Sequence, residues 1–417
     1  MKISFIIEKN NFFTFLGPII DSALQREFTV ECWLYNKKVN GSKDYLTPTN
    51  KDIPDFQGKV TLKRFNKKQE CYNLIITSKV DFVISLNPKS SYFNENLVNC
   101  KFITIQHGLD TFVSSTFKDL LSSDIIVLNT QYWKDLSIRY YSQVSPLEFE
   151  RYIDEYNRKV KLCGFPKLDA FELIDRKKIR TKWGIPSDKP VILFLPIPLS
   201  INPGFWSRFF ESRNRLTQFF MLLSGSIFED KAMMKNYFHW IIKGYNNYKL
   251  TKVISNFCKK NNAYLIVKGR KKDKVPGFIS KLSDKMLYDE DWYPGTIFEA
   301  ISISDLCIHF YSTAVLENVP VGTYGICIDR PSPKLSNKVL SGHKLWRTPA
   351  SGINAFNFEG VNTLMSIPEA ISSLADMKLS HFKFCKNSQN KYLKIFTNSQ
   401  DTPASKNILN TLLAELQ

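Results

Sequence analysis

Short apolar runs, each followed by a stretch with helical spacing, recur along this 417-residue chain. That alternation is the tightest constraint on its fold. Parallel strands cannot be joined by a hairpin and need a crossover, usually a helix. Residues 3–7 read as a strand, 12–26 as a helix and 29–35 as a second strand, a β-α-β opening. Residues 36–56 are polar, carry Gly and Pro, and read as a loop. A helix over 69–79, strands over 81–85 (DFVIS) and 101–105 (KFITI), a helix over 117–122 and a strand over 124–128 (DIIVL) continue the series. Such a series predicts an α/β layer with helices on both faces of the sheet. The alternation repeats in the second half. Strands are expected at 190–196 (PVILFLP), 263–267 (AYLIV), 286–288 and 306–310, with 325–328 (GICI) as the last. Helices are expected over 237–256 and 295–302, and a C-terminal helix over 408–416.

The stretch SDLCIHFYSTAVLENVPVG, residues 304–322, joins one of these strands to a helical pattern that starts at Ala314. Tyr311, Ser312 and Thr313 fall between them. Two hydroxyls then sit where backbone N–H groups are unpaired and a helix dipole is positive, which suits a phosphate. Glu317 lies one helical turn past Thr313, within reach of a ribose. Read alone, Ser312 or Thr313 is equally an N-cap. Earlier in the chain, Gln106-His107-Gly108-Leu109-Asp110 follows a buried strand at the sheet edge where open α/β folds bind ligands. His107 titrates near working pH and has a glycine beside it, so it is the candidate general base, with Asp110 to orient it. A histidine that only ends a strand is the plain alternative. His309, inside the strand, reads as core.

KLCGFPKLD, residues 161–169, is a short strand, a forced Gly-Phe-Pro turn and a helix opening that continues to Trp183. It marks a junction between domains. Residues 198–248 are dense in Phe, Trp, Arg and Lys and read as an inserted helical region. That insertion either packs internally or lies on an anionic membrane surface.

A formal net charge of +18 calls for an anionic partner. Nucleic acid is not expected, because no RNA- or DNA-binding signature is present. The eight cysteines are scattered without a CxxC pair, which predicts buried free thiols, a reducing cytoplasm and no structural zinc. The first residues lack a signal-peptide pattern, and no apolar run is long enough to span a membrane. The protein is expected in the cytoplasm, with any contact to the inner membrane face peripheral.

The landmarks fall in a familiar order: HG after a strand, GFPKLD, an ILFLP strand, a strand ending in basic residues, then SDLCIHFYSTAVLE. This order resembles the CDP-glycerol glycerophosphotransferase family of teichoic-acid and capsule enzymes, which share their fold with the GT-B glycosyltransferases. The resemblance covers roughly residues 101–330. Gln106-His107-Gly108 looks like the family's Trp-His-Gly. Gly164, Phe165, Pro166, Lys167, Leu168 and Asp169 look like its Gly-Tyr-Pro-Arg-x-Asp interdomain motif. Phe310, Tyr311, Ser312 and Thr313 look like its donor-binding Asp-Tyr-Ser-Ser, with Glu317 where the family often has Asp. Lys268-Gly269-Arg270 replaces the family's His-Pro, so the leaving-group side is built differently.

The resemblance implies two Rossmann-like domains with parallel sheets facing across a cleft. An acceptor domain would cover residues 1–162, a nucleotide-donor domain 163–395, and a final helix 396–417. It implies a transferase that moves a glycosyl or glycerol-phosphate group from a CDP/CMP- or UDP-linked donor to a hydroxyl of a cell-surface polysaccharide or lipid-linked acceptor. Lys268, Arg270, Tyr311, Ser312 and Thr313 would hold the donor diphosphate, Glu317 the ribose, and His107 would deprotonate the acceptor. The base would pack near residues 288–293. Lys and Arg suit phosphate by charge and by bidentate fork, so no metal or cofactor is expected. The acidic run Asp289, Glu290, Asp291 reads as a solvated loop. Two alternatives use the same architecture: a non-hydrolysing sugar-nucleotide epimerase, and a non-catalytic nucleotide- or glycan-binding protein.

Overall fold

The structure, a computed structural model, describes residues 1–36, 38–39, 42–43, 47–109, 116–196, 216, 247–269, 275, 277–288, 291–310, 312–329, 352–397 and 402–416. The first half of the chain supplies β1 (Lys2–Ile7), β2 (Thr29–Tyr35), a small antiparallel ladder of β3 (Lys38–Val39) with β4 (Ser42–Lys43), β5 (Val60–Phe65), β6 (Phe82–Ser85), β7 (Lys101–Ile105), β8 (Ile125–Leu128) and β9 (Val160–Leu162). Seven of these form one parallel sheet in the order β5-β2-β1-β6-β7-β8-β9. The second half supplies β10 (Val191–Phe194), β11 (Tyr264–Lys268), β12 (Lys285–Leu287), β13 (Leu306–His309), β14 (Tyr324–Asp329) and β15 (Asn362–Ser366). They form a second parallel sheet in the order β12-β11-β10-β13-β14-β15. In each sheet the order reverses beside the first strand of its half, and at such a switch point the carboxyl ends of the strands part to leave a crevice. This is the two-Rossmann GT-B architecture expected from the sequence.

The strand interiors follow from composition. In β6, β8, β10 and β13 every residue is buried, as expected of strands covered by helices on both faces. Helices α1 (Phe13–Gln25), α2 (Glu70–Ser78), α3 (Phe117–Leu121), α4 (Gln131–Val144) and α5 (Pro146–Lys159) serve the first sheet. The second half adds α6 (Arg176–Trp183), α7 (Asn247–Lys260), α8 (Gly277–Leu282), α9 (Thr296–Ser302), α10 (Ala314–Glu317) and α11 (Ile367–Ser373).

Three features correct the sequence-based expectation. The strand at Tyr324–Asp329 is not the last, because β15 pairs beyond it. The helix after the Gly-Phe-Pro turn does not run on to Trp183. Pro166–Leu173 is a 3-10 segment that ends at the extended Ile174. Asp175 then accepts hydrogen bonds from the Lys177 and Lys178 amides and caps α6 as a separate helix. The helical pattern that starts at Ala314 yields only the four residues of α10. The aromatic and basic insertion over 198–248 lies outside the described residues, apart from Leu216 and the start of α7.

The last two helices, α12 (Lys386–Phe396) and α13 (Ala404–Ala414), cross back onto the first half. Trp133 Nε1 donates to the Phe396 carbonyl at 2.7 Å, and Thr130 Oγ1 donates to the Ile395 carbonyl at 2.6 Å. Ser22 of α1 bonds Ser405 at 2.9 Å, and Ile408, Leu409 and Leu412 are buried in one cluster with Leu16, Ile19 and Ile20. That cluster also holds Val315, Leu316 and Val319 of the second half, so the two halves share a core. All eight cysteines are free, and six are buried. Among the described residues no helix is long and apolar enough to cross a membrane.

Candidate functional site

His107 leaves the carboxyl end of β7 on a turn that a buried amide holds in place. Gln106 Oε1 accepts from the Asn129 amide at 3.1 Å, and its Nε2 donates to the Gly108 carbonyl at 3.1 Å. The glutamine thus ties the ends of β7 and β8 together. The half-buried His107 ring lies 6.2 Å from the Phe12 ring and 5.9 Å from Phe15, whose edge it meets at 88°. Asp110, its expected orienting partner, is outside the described residues.

The Gly-Phe-Pro turn is pinned to the same edge. Gly164 has φ +92, a left-handed conformation that favours glycine, and its amide donates to the Asn129 carbonyl at 3.0 Å. The Phe165 amide donates to the Thr397 carbonyl at 3.2 Å. Pro166 opens the 3-10 segment, and Lys167 then points into the junction. Its Nζ is 2.6 Å from Glu317 Oε1, and the two side chains are 8% and 2% exposed. The same ammonium lies 4.7 Å from the Phe15 ring centroid and 5.2 Å from that of Phe298, on α9. Both distances are within cation–π range. Phe15 therefore faces His107 on one side and Lys167 on another. Three residues singled out by sequence, His107, Lys167 and Glu317, come together around it. Asp169 does not join them. It accepts from the Ala404 and Ser405 amides at 3.2 and 2.7 Å and caps α13. Burial raises its pKa, against those hydrogen bonds.

Ser312 and Thr313 follow β13 and are partly exposed. Ser312 Oγ accepts from the Ala314 amide at 3.3 Å, so it caps α10. The Ser312 and Thr313 amides themselves have no partner among the described residues. A four-residue helix carries little macrodipole, so any anion here would rest on those amides, the hydroxyls and nearby cations. The turn is held from below. Tyr392 Oη donates to the Val315 carbonyl at 2.9 Å, and Gln389 Nε2 donates to the Val319 and Pro320 carbonyls at 2.6 and 3.2 Å. Asn362 Nδ2 also reaches the Val315 and Ala355 carbonyls, at 3.4 and 3.0 Å. A side chain at Gly325 would put its Cβ 2.0 Å from Asn362 Oδ1, so this glycine makes room for the anchor. Side chains thus satisfy carbonyls that a longer helix would satisfy itself.

Lys268 ends β11, and its Nζ donates to the Gly269 carbonyl at 2.9 Å. β10 lies between β11 and β13, so Lys268 stands two strand spacings, about 10 Å, from the end of β13, three residues before Ser312. Arg270 and Tyr311 are outside the described residues, as are Asp289 and Glu290. Tyr288 Oη accepts from the Val275 amide at 3.1 Å. Tyr293 reaches the first half: it stacks on Phe56 at 5.9 Å and donates to Asp21 at 2.6 Å. Its ring lies so close over Gly17 that a Cβ there would come within 2.5 Å. Tyr293 is an interdomain contact. His309 is fully buried, neither ring nitrogen has a partner among the described residues, and burial lowers its pKa to about 3. It is a neutral core residue. Among the described residues no group of His, Cys, Asp and Glu is placed to hold a metal.

No protein-family model matches the sequence, and no curated protein matches it. Solved structures do match the fold. A variant of the wall teichoic acid polymerase TagF has a TM-score of 0.57 at 13% identity, covering 100% of this chain and 89% of that one. A putative UDP-N-acetylglucosamine 2-epimerase from Listeria monocytogenes has a TM-score of 0.56 at 11% identity, covering 100% and 96%. The UDP-GlcNAc 2-epimerase from Neisseria meningitidis, bound to UDP-GlcNAc, has a TM-score of 0.55 at 12% identity, covering 99% and 100%. The likeness runs the length of the chain and is one of fold.

Proposed function

We propose that this chain is a transferase that moves a glycosyl or glycerol-phosphate group from a nucleotide-activated donor to a hydroxyl of a surface polysaccharide or lipid-linked acceptor. The observation that carries the reading is the convergence of His107, Lys167 and Glu317 around Phe15, where the carboxyl ends of the two sheets meet. Fold neighbours solved with CDPG (the wall teichoic acid polymerase TagF) or with UDP-GlcNAc bound support the donor class.

In this reading the donor diphosphate rests on the Ser312 and Thr313 amides and hydroxyls. Lys268 and Arg270 add positive charge, and Glu317 accepts from ribose hydroxyls. His107 takes the proton of the acceptor hydroxyl. The acceptor oxygen then bonds the transferred carbon or phosphorus, and the bond to the leaving nucleotide breaks with its electron pair. Charge grows on that leaving group, so fixed donors at the Ser312 turn lower the barrier. The net charge of +18 fits an anionic acceptor or membrane face. Flotation with anionic liposomes tests the membrane part, and a protein that stays down at low salt removes it.

An epimerase would need carboxylates around the sugar, whereas the rings against His107 are the hydrocarbon ones of Phe12 and Phe15. A thermal-shift panel of CDP, UDP, GDP and ADP tests the donor site. The matching nucleotide should raise the midpoint by roughly 5 °C or more at about 100 times its Kd. Ser312→Ala with Thr313→Ala should abolish that shift, and no response from any nucleotide would remove the reading. His107→Gln should keep the shift and slow transfer by about 100-fold or more.

A further inference from the structure

Glu317 has two carboxylate oxygens, and only one has a partner among the described residues. Oε1 is 2.6 Å from Lys167 Nζ, while Oε2 has no hydrogen-bond partner among the described residues. The side chain is 2% exposed, so bulk water reaches this oxygen at most at its edge. A buried carboxylate normally fills both oxygens, because an unmet acceptor in a dry site is costly. The Lys167 ammonium is itself confined, with the rings of Phe15 and Phe298 at 4.7 and 5.2 Å. Phe15 belongs to α1 of the first half and Phe298 to α9 of the second, and Lys167 sits on the segment that joins them. Among the described residues Lys167 is the cation that Glu317 meets.

We propose that Lys167 is a positioning residue for the donor: it holds one oxygen of Glu317 so that the other is presented, in a fixed orientation, to a ribose hydroxyl. This rests on the nucleotide-donor reading above and deepens it. It makes the sugar of the nucleotide, rather than its base or phosphates, the part whose recognition depends on the interdomain segment. The donor class is then a ribonucleoside diphosphate derivative, and its 2′-deoxy counterpart is discriminated against. Removing the ammonium leaves Glu317 buried without its partner. The carboxylate then loses the contact that fixes its orientation, and the ribose contact weakens.

The experiment measures binding of UDP and CDP, and of their 2′-deoxy forms, by calorimetry to the full chain. The wild type should favour the ribose form by about tenfold or more, the factor that a charge-assisted hydrogen bond to one hydroxyl supplies. Lys167→Met should bring that ratio near one while the affinity for the 2′-deoxy form stays within about twofold. Lys167→Arg, which keeps the charge and stacks between rings, should restore most of the ratio. If Lys167→Met does not fold, the neutral pair Lys167→Met with Glu317→Gln removes the stranded charge and is measured instead, with the same expected loss. A ratio unchanged in the folded variant overturns the proposal and leaves the donor site intact. So does a wild type that binds both sugar forms equally. A wild type that binds neither UDP nor CDP overturns the donor reading itself and this inference with it.

Discussion

Two buried glutamates on opposite halves of the molecule are built in opposite ways. Glu31 lies on β2 with a side chain 4% exposed, and its oxygens are fully used. Lys2 is 2.8 Å away, Lys63 is 2.9 Å away, and Trp33 Nε1 donates at 2.8 Å. All four residues come from the adjacent strands β1, β2 and β5, so the cluster is local to one sheet. Among the described residues Glu317 has one hydrogen-bond partner, 150 residues away across the domain junction, and an oxygen without one. Burial alone would raise the Glu31 pKa, but its three hydrogen bonds and the nearby Lys63 charge outweigh burial and lower it to about 2. A saturated carboxylate holds a sheet together. A half-saturated one is held in readiness, and that difference separates a structural ion pair from a candidate site.

The contrast can be broken at its strongest point. Lys167→Met removes the one ion-pair partner that Glu317 has among the described residues and should cost about 3–5 kcal/mol in chemical denaturation. Adding Glu317→Gln should recover most of that loss, and a double variant as unstable as the single would show that the pair is not the source. Glu31→Gln should cost less, about 1–3 kcal/mol. Lys2 and Lys63 are 31% and 32% exposed and can rehydrate, leaving mainly the loss of charge-assisted bonds. Its pH dependence sharpens the point. The folded pKa is below the ordinary value of 4.5, so the stability from Glu31 is complete above about 4.5 and is lost as pH falls toward 2. The gap between wild type and Glu31→Gln in acid titrations should therefore close over that window. Asp169→Ala gives the smallest effect. It removes the cap of α13 and should cost about 1 kcal/mol, without changing nucleotide affinity.

Much of this was legible in the sequence, where burial on both faces forces continuous apolar runs. β5 was not, because at the sheet edge only Phe65 is buried, Leu62 is exposed, and Lys63 and Arg64 interrupt the apolar run. β15 sits at the other edge and was missed for the same reason. His107, Lys167 and Glu317 each stand out by motif, but nothing local says that Lys167 reaches Glu317. Phe15 and Phe298 were invisible as site residues, since an aromatic at helical spacing looks the same whether it fills a core or walls an ammonium. The side chains under the Ser312 turn, Gln389 and Tyr392, lie in a polar helix with no signature of their own. Their role depends on α10 being too short to satisfy its own carbonyls, and the apolar pattern after Ala314 hides that shortness.

The return of α13 onto α1 has a consequence for synthesis. The first half emerges from the ribosome with the apolar face of α1 in place and its cover still unmade. At ~5–20 residues per second, roughly 10 to 50 s pass between the end of β9 and the completion of residues 404–414. During that interval the face of α1 around Ser22 lacks the cover that the last helix supplies. Truncations that stop before Ala404 should persist in that uncovered state.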